Sequence, residues 1–263
     1  MAEPAWKMPT GERWAPEPEE EESVLQRWVE LPDGRMELLE LPLTPELYLD
    51  PEIDDKMVQG ERHVLTCVEI FGLLRHHFRD QPDTLVVHDM KHLFGRGLSA
   101  PSPDVSVVRG LRPDRGDLHS YDARKHGVVP SLVVEVVSPM SARVRHTDLT
   151  DKVKLYERVG IREYFIVDTP RRPRGVRRYT LLGYRLDPSG RYQPIPLDAQ
   201  GRLPSETIGV WFQIDPTGDR VLLFDAATSR RLLNLDEQVE RAEAAEEEAA
   251  RLRAEIERLR GNR

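Results

Sequence analysis

The chain has 263 residues, 39% of them apolar and 32% charged, with a formal net charge of -8. That length provides one sizeable core with appendages, and the acidic balance excludes a broad nonspecific nucleic-acid coat while leaving room for a local basic channel. No run approaches the roughly 18 apolar residues of a membrane span, and the single cysteine, Cys67, excludes an internal disulfide and points to a reducing, cytoplasmic compartment.

Residues 1–24 alternate proline with charge and carry the block Glu19 to Glu22, so a disordered, solvated tail is expected there. The tail lacks the basic segment followed by an apolar one that marks a signal peptide. A globular domain is expected over 25–230, its pattern clearest from about 35 to 225. Arg35 to Leu41 reads as a strand. From Glu61 to Phe78 the apolar positions Val64, Leu65, Val68, Ile70, Phe71, Leu74 and Phe78 fall at helical spacing, with Gln81-Pro-Asp as the stop. Four short runs rich in branched residues then read as strands: Thr84 to Val87, Asp104 to Val108, Leu132 to Val137 and Tyr164 to Val167.

A second helix is expected at 146–159, between the third and fourth of those runs. Its apolar stripe is Leu149, Val153, Tyr156 and Gly160, with Thr147 or Asp148 as cap and Gly160 as terminator. Strand, helix, strand in that order suits a crossover between parallel neighbours. Val176 to Leu186, Tyr192 to Leu197 and Val221 to Phe224 read as an antiparallel edge or meander. The fold class is α/β or α+β, a mixed sheet flanked by helices.

The stretch 231–263 is read as a C-terminal coiled-coil helix. Its heptad a positions are Leu235, Ala242, Ala249 and Ile256, and its d positions are Gln238, Ala245, Leu252 and Leu259. A homodimer through 235–259 is the expectation. Alanine at three seam positions and the run Glu246 to Glu248 equally suit a single solvated helix.

Two of the strands carry chemistry. Pro103-Asp104-Val-Ser-Val-Val and Leu132-Val-Val-Glu135-Val-Val-Ser138-Pro139 each set one carboxylate in an apolar run. Buried carboxylates are costly alone, and two together repel and raise at least one pKa. A divalent cation such as Mg²⁺ relieves both problems and polarises a phosphoryl oxygen. The plainer readings are a turn at Asp104 and a solvent-facing Glu135, though valines on both faces of the second strand suit a buried position. Lys152 flanks the apolar stripe of the second helix, whereas Lys154 points away. Lys152 can reach the sheet, or pair with Asp148 at i, i+4 for a few tenths of a kcal/mol.

These segments, together with Asp148-xxx-Lys152-xxx-Tyr156-xxx-Gly160-Ile-Arg-Glu163-Tyr164-Phe165-Ile-Val-Asp168, resemble the Uma-two family of restriction endonuclease-like proteins, within the PD-(D/E)XK nuclease superfamily. The resemblance implies a restriction-endonuclease-like sheet and a nuclease domain over 25–230. It implies Asp104, Glu135 and the Val136 carbonyl as ligands of Mg²⁺ or Mn²⁺, and hydrolysis of DNA phosphodiesters. In the superfamily pattern a lysine follows the glutamate by two residues; here Val137 stands there, and the resemblance moves that role to Lys152, with Asp104 and Glu135 its catalytic partners. His63 resembles the histidine that opens the family's first long helix, with a phosphate or outer-shell contact implied, beside the plainer role of a helix-start residue. Arg143, Arg145 and His146, and the cluster Arg171, Arg172, Arg174, Arg177 and Arg178, suit phosphate contacts or a solvated loop. The competing function is a non-catalytic DNA-binding or interaction module that dimerises through its tail.

Overall fold

The structure, a computed structural model, describes residues 24–52, 55–57, 60–112, 116–137, 142–168 and 178–261. The expected tail 1–24 lies outside them except for Val24, as do Arg171, Arg172, Arg174, Arg177 and the side chain of Arg143. No described helix is long and apolar enough to cross a membrane.

The chain opens with a hairpin of β1 (Val24–Glu30) and β2 (Met36–Pro42), followed by the short helix α1 (Pro45–Leu49) and by β3 (Lys56–Met57), which pairs with β1. Helix α2 (Glu61–His77) follows, then β4 (Thr84–His88), β5 (His92–Leu93), β6 (Val105–Arg109), β7 (Tyr121–Asp122), α3 (Ala123–His126) and β8 (Leu132–Val136). The crossover consists of α4 (Ala142–His146), a π turn over Thr147–Asp151, and α5 (Lys152–Val159), leading to β9 (Glu163–Asp168). Then come β10 (Thr180–Leu186), β11 (Tyr192–Pro194), β12 (Arg202–Ser205), β13 (Val210–Ile214), β14 (Val221–Asp225) and α6 (Leu235–Gly261).

The central sheet has six strands in the order β11-β10-β9-β8-β6-β4. It is mixed: β8 and β9 run parallel across the helical crossover, and the other neighbours are antiparallel. Because β8 is central, both its faces are buried, as its unbroken apolar flanks require. Leu132, Val134 and Val136 face α2 and the sheet β12-β13-β14, beside Cys67, Ile70 and Phe212. Val133 and Val137 face the crossover, beside Tyr156, Tyr164 and Ile166. Gly183 of β10 permits the close approach of β12: a Cβ there would lie 2.7 Å from Leu203 Cδ1.

Several sequence expectations need correction. The second helix begins at Ala142 rather than 146, so Thr147 and Asp148 do not cap it but lie buried in its π turn. The first long helix is where it was expected, from Glu61 to His77 with Phe78 as its cap, and the chain turns away before Gln81-Pro-Asp. β1, β12 and β13 were not anticipated, and β12 to β14 form a separate antiparallel sheet instead of a simple edge meander. Gly160 does end α5, in the left-handed region with φ 85°. Residues 235–261 form one helix whose Leu235, Val239, Leu252, Ile256 and Leu259 are exposed.

Candidate active site

β6 and β8 pair antiparallel with Val105 opposite Val134. One step further along the same register sets Asp104 opposite Glu135. The Val136 N–H donates to Asp104 Oδ2 at 2.7 Å, which fixes the carboxylate against the end of β8. On the other side, β4 pairs with β6 with His88 opposite Val105, so Asp89 stands at the head of the same row. Asp89 adopts φ 47°, an uncommon conformation for a residue with a side chain. Its carboxyl is raised by burial of its surroundings and by the charge of Asp104.

The π turn and α5 supply the opposite wall. Lys152 Nζ lies 3.0 Å from Glu135 Oε1 and 2.8 Å from Asp148 Oδ1. Tyr156 donates to Glu135 Oε1 at 2.9 Å, and Tyr48 of α1 donates to Asp148 Oδ1 at 3.1 Å while its ring faces the Lys152 ammonium at 4.1 Å. Glu135 and Lys152 are each only 1% exposed. The extra residue of a π turn shifts the helix surface locally, a device concentrated at functional sites. It carries Asp148 inward beside Lys152, whereas Lys154 points to solvent.

The electrostatics follow from this crowding. Burial pushes Glu135 up to about 8; Lys152 opposes the shift, and the charges of Asp104 and Asp148 add to it. Burial also raises Asp148, again against Lys152. Burial works against the charged form of Lys152, but Asp148 and Glu135 hold it well above the ordinary lysine value. Asp104 resists burial and ends below the ordinary aspartate value because His63, Lys152 and the Val136 N–H favour its charged form. Burial works against a charged His63, but Asp104, whose Oδ1 lies 3.3 Å from its Nε2, together with Asp148 and Glu135 raises it above the ordinary histidine value.

A comparison of buried acids within the fold separates structural carboxylates from Glu135. Glu163 is satisfied by Arg185, Ser205, Thr207 and the Glu206 N–H. Asp168 is paired with Arg145 at 2.6 and 3.1 Å. Glu135 Oε2 is buried with no hydrogen-bond partner among the described residues. An orphaned carboxylate oxygen is expensive unless a cation binds it. The oxygens of Asp104 and Glu135 are the hard donors that Mg²⁺ and Mn²⁺ take, so the residues present fit such an ion.

The structure thus brings together Asp104, Glu135, Val136, Lys152 and His63. Arg145 is held by Asp168, with part of its guanidinium open to solvent. Arg178 and His146 are exposed. Asp148, Tyr48, Tyr156, Cys67 and Asp89 were not singled out as site residues. The i, i+4 spacing of Asp148 and Lys152 was visible, but that pair was only the plainer alternative for Lys152 and gave Asp148 no place in the site; both side chains are buried. Tyr48 comes from a helix 100 residues away and left no signal in the sequence pattern.

No curated protein matches the chain. A solved structure described as "a putative nuclease belonging to DUF820 from Anabaena variabilis ATCC 29413" is similar at a TM-score of 0.43 and 16% identity, covering 73% of this chain and 86% of that one. The model of the Uma2 family, described as "Putative restriction endonuclease", matches residues 35–217, a span that contains every residue of the site. The chain belongs to the Uma2 family.

Proposed function

We propose that the chain is a Mg²⁺-dependent endonuclease that hydrolyses DNA phosphodiester bonds, with Mn²⁺ able to replace Mg²⁺, and that it works in a reducing cytoplasm. The observation that carries this reading is the orphaned Glu135 Oε2 beside Asp104. Family membership supports the nuclease class.

Asp104, Glu135 and the Val136 carbonyl would hold the ion, which when bound polarises the scissile phosphate and makes water a stronger nucleophile. The chain's own residues do the rest. His63 and the Val136 N–H keep Asp104 ionised and oriented. Tyr156 and Lys152 fix Glu135 Oε1, which leaves Oε2 as the free donor. Lys152, restrained by Asp148, sets a permanent positive charge at the site, where it stabilises negative charge developing on the phosphate. Arg145, oriented by Asp168, is a phosphate contact at the flank. The domain spans 25–230, and pairing of α6 along 235–259 gives a homodimer with two such sites, one for each strand of a duplex.

Supercoiled plasmid incubated with Mg²⁺ or Mn²⁺ tests the reading. Wild type is expected to nick and linearise it, and an Asp104→Ala, Glu135→Ala variant is not. Equal cutting by both proteins, or no cutting by wild type with either metal, sinks it. The second reading, a non-catalytic binding module, draws on two observations: Lys152 is engaged by two carboxylates at once, and Val137 stands where the superfamily lysine would be. Plasmid retention in a gel without cleavage favours it.

A further inference from the structure

Helix α2 presses a second set of donors against Asp104. His63 and Cys67 are four residues apart and so share a helix face, and both are buried. His63 Nε2 lies 3.5 Å from Cys67 Sγ and 3.3 Å from Asp104 Oδ1. One donor atom from each of the three lies within 4.8 Å of the other two.

The two lengths from His63 match those of a tetrahedral zinc site, and the third, from Cys67 Sγ to Asp104, lies within 4.8 Å. Zinc bonds of about 2.3 Å to sulfur and about 2.0–2.1 Å to nitrogen and oxygen, at tetrahedral angles, set N and S about 3.5 Å apart and N and O about 3.3–3.4 Å apart. Hydrogen bonds span similar lengths, so the chemistry of the donors carries the choice. Thiolate, imidazole and carboxylate form a borderline-soft set that suits Zn²⁺ and does not suit Mg²⁺. The surroundings favour a cation: Asp104, Glu135 and Asp148 converge on the one lysine, Lys152. The ring's buried Nδ1 has no partner among the described residues.

We propose that His63, Cys67 and Asp104 form a site for a thiophilic divalent cation, Zn²⁺ by its donor set, and that filling it withdraws Asp104 from the Mg²⁺ site and stops cleavage. Binding releases the Cys67 proton and the proton on His63 Nε2 to solvent, because the thiolate and the bare imidazole nitrogen are the ligands. The inhibitory half of the proposal rests on the nuclease reading; the binding half stands without it.

Cobalt(II) titration of the full-length metal-free protein tests the binding half. A tetrahedral site with one thiolate gives intense visible bands and a near-ultraviolet sulfur-to-cobalt band, and Zn²⁺ bleaches both. Cys67→Ser is expected to remove the near-ultraviolet band and to weaken Zn²⁺ binding by more than about tenfold. His63→Gln, with folding checked by circular dichroism, gives a second ligand variant should Cys67→Ser not fold. Cobalt that binds without the sulfur band, or a band that survives Cys67→Ser, overturns the site. For the inhibitory half, the ratio of plasmid cleavage with and without Zn²⁺ at fixed Mg²⁺ is compared. Wild type is expected to lose cleavage and Cys67→Ser to resist; equal loss in both overturns the inhibition. If wild type cuts nothing with any metal, the nuclease reading fails while the cobalt spectrum still decides the site.

Discussion

Lys152 Nζ stands 3.0 Å from Glu135 Oε1 and 2.8 Å from Asp148 Oδ1, so one ammonium joins a carboxylate of the sheet to a carboxylate of the crossover. Asp104 adds a third acid across the strand pair. One lysine and His63 share three buried acids, and the acid with a spare oxygen is Glu135.

Removing that lysine charge should therefore be costly. Lys152→Met keeps an apolar stem and leaves Glu135 and Asp148 buried without their cation, which costs about 3–5 kcal/mol for a broken buried pair. Urea unfolding at pH 7.5 in EDTA measures it. A loss below about 1 kcal/mol, the range of an exposed pair, would mean that water solvates the two acids.

The pH dependence of Glu135 has a defined sign. Its folded value of about 8 lies above the ordinary 4.5. Between those values the folded state binds more protons than the unfolded state, so this group contributes stability at low pH that is lost as pH rises toward 8. Glu135→Gln removes the titration. In EDTA, the stability of Glu135→Gln relative to wild type should rise between pH 5 and pH 8 and then level off. Added Mg²⁺ should raise the Tm of wild type at pH 8 more than that of the variant, because ligand binding to the folded state stabilises it. A difference that does not change with pH contradicts the assignment.

How much of this was legible in the sequence varies residue by residue. Asp104 and Glu135 were legible because Asp104 opens and Glu135 interrupts a run of branched apolar residues, a pattern that suits a buried strand. Lys152 was legible as a residue flanking an apolar stripe. Asp148 was not, because an i, i+4 pair looks the same on a surface as in a core. The π turn was hidden because no residue pattern marks one extra residue in a helix, and without it the helix start was misplaced by four residues. Strand β12, Arg-Leu-Pro-Ser, carries a proline and little alternation, so nothing in its composition announced it. The union of His63, Cys67 and Asp104 depends on α2 packing against the sheet, which only the tertiary fold reveals.

Gly160 ends α5 at φ 85° with no heavy atom within 4 Å of where a Cβ would stand. Gly160→Ala therefore probes backbone conformation without a clash, and a loss of about 1 kcal/mol is expected. Chemical denaturation of the variant checks it; an unchanged midpoint would place the helix end in an ordinary conformation.

The exposed stripe of α6, Leu252, Ile256 and Leu259 above all, is the surface proposed for dimer formation. Truncation after Leu233 should halve the mass measured by light scattering at micromolar concentration. Leu252→Glu with Ile256→Glu should act in the same direction while keeping the full chain. A dimer that survives both changes assigns the interface elsewhere.

The central claim is that Asp104 and Glu135 share a divalent cation. The most direct measurement is anomalous diffraction from crystals of the full chain soaked in Mn²⁺, beside crystals of the Asp104→Asn, Glu135→Gln variant. The account predicts a manganese peak in contact with Asp104 and with Glu135 Oε2 in wild type, and none in the variant. No peak at saturating Mn²⁺, or a peak that persists in the variant, would contradict it.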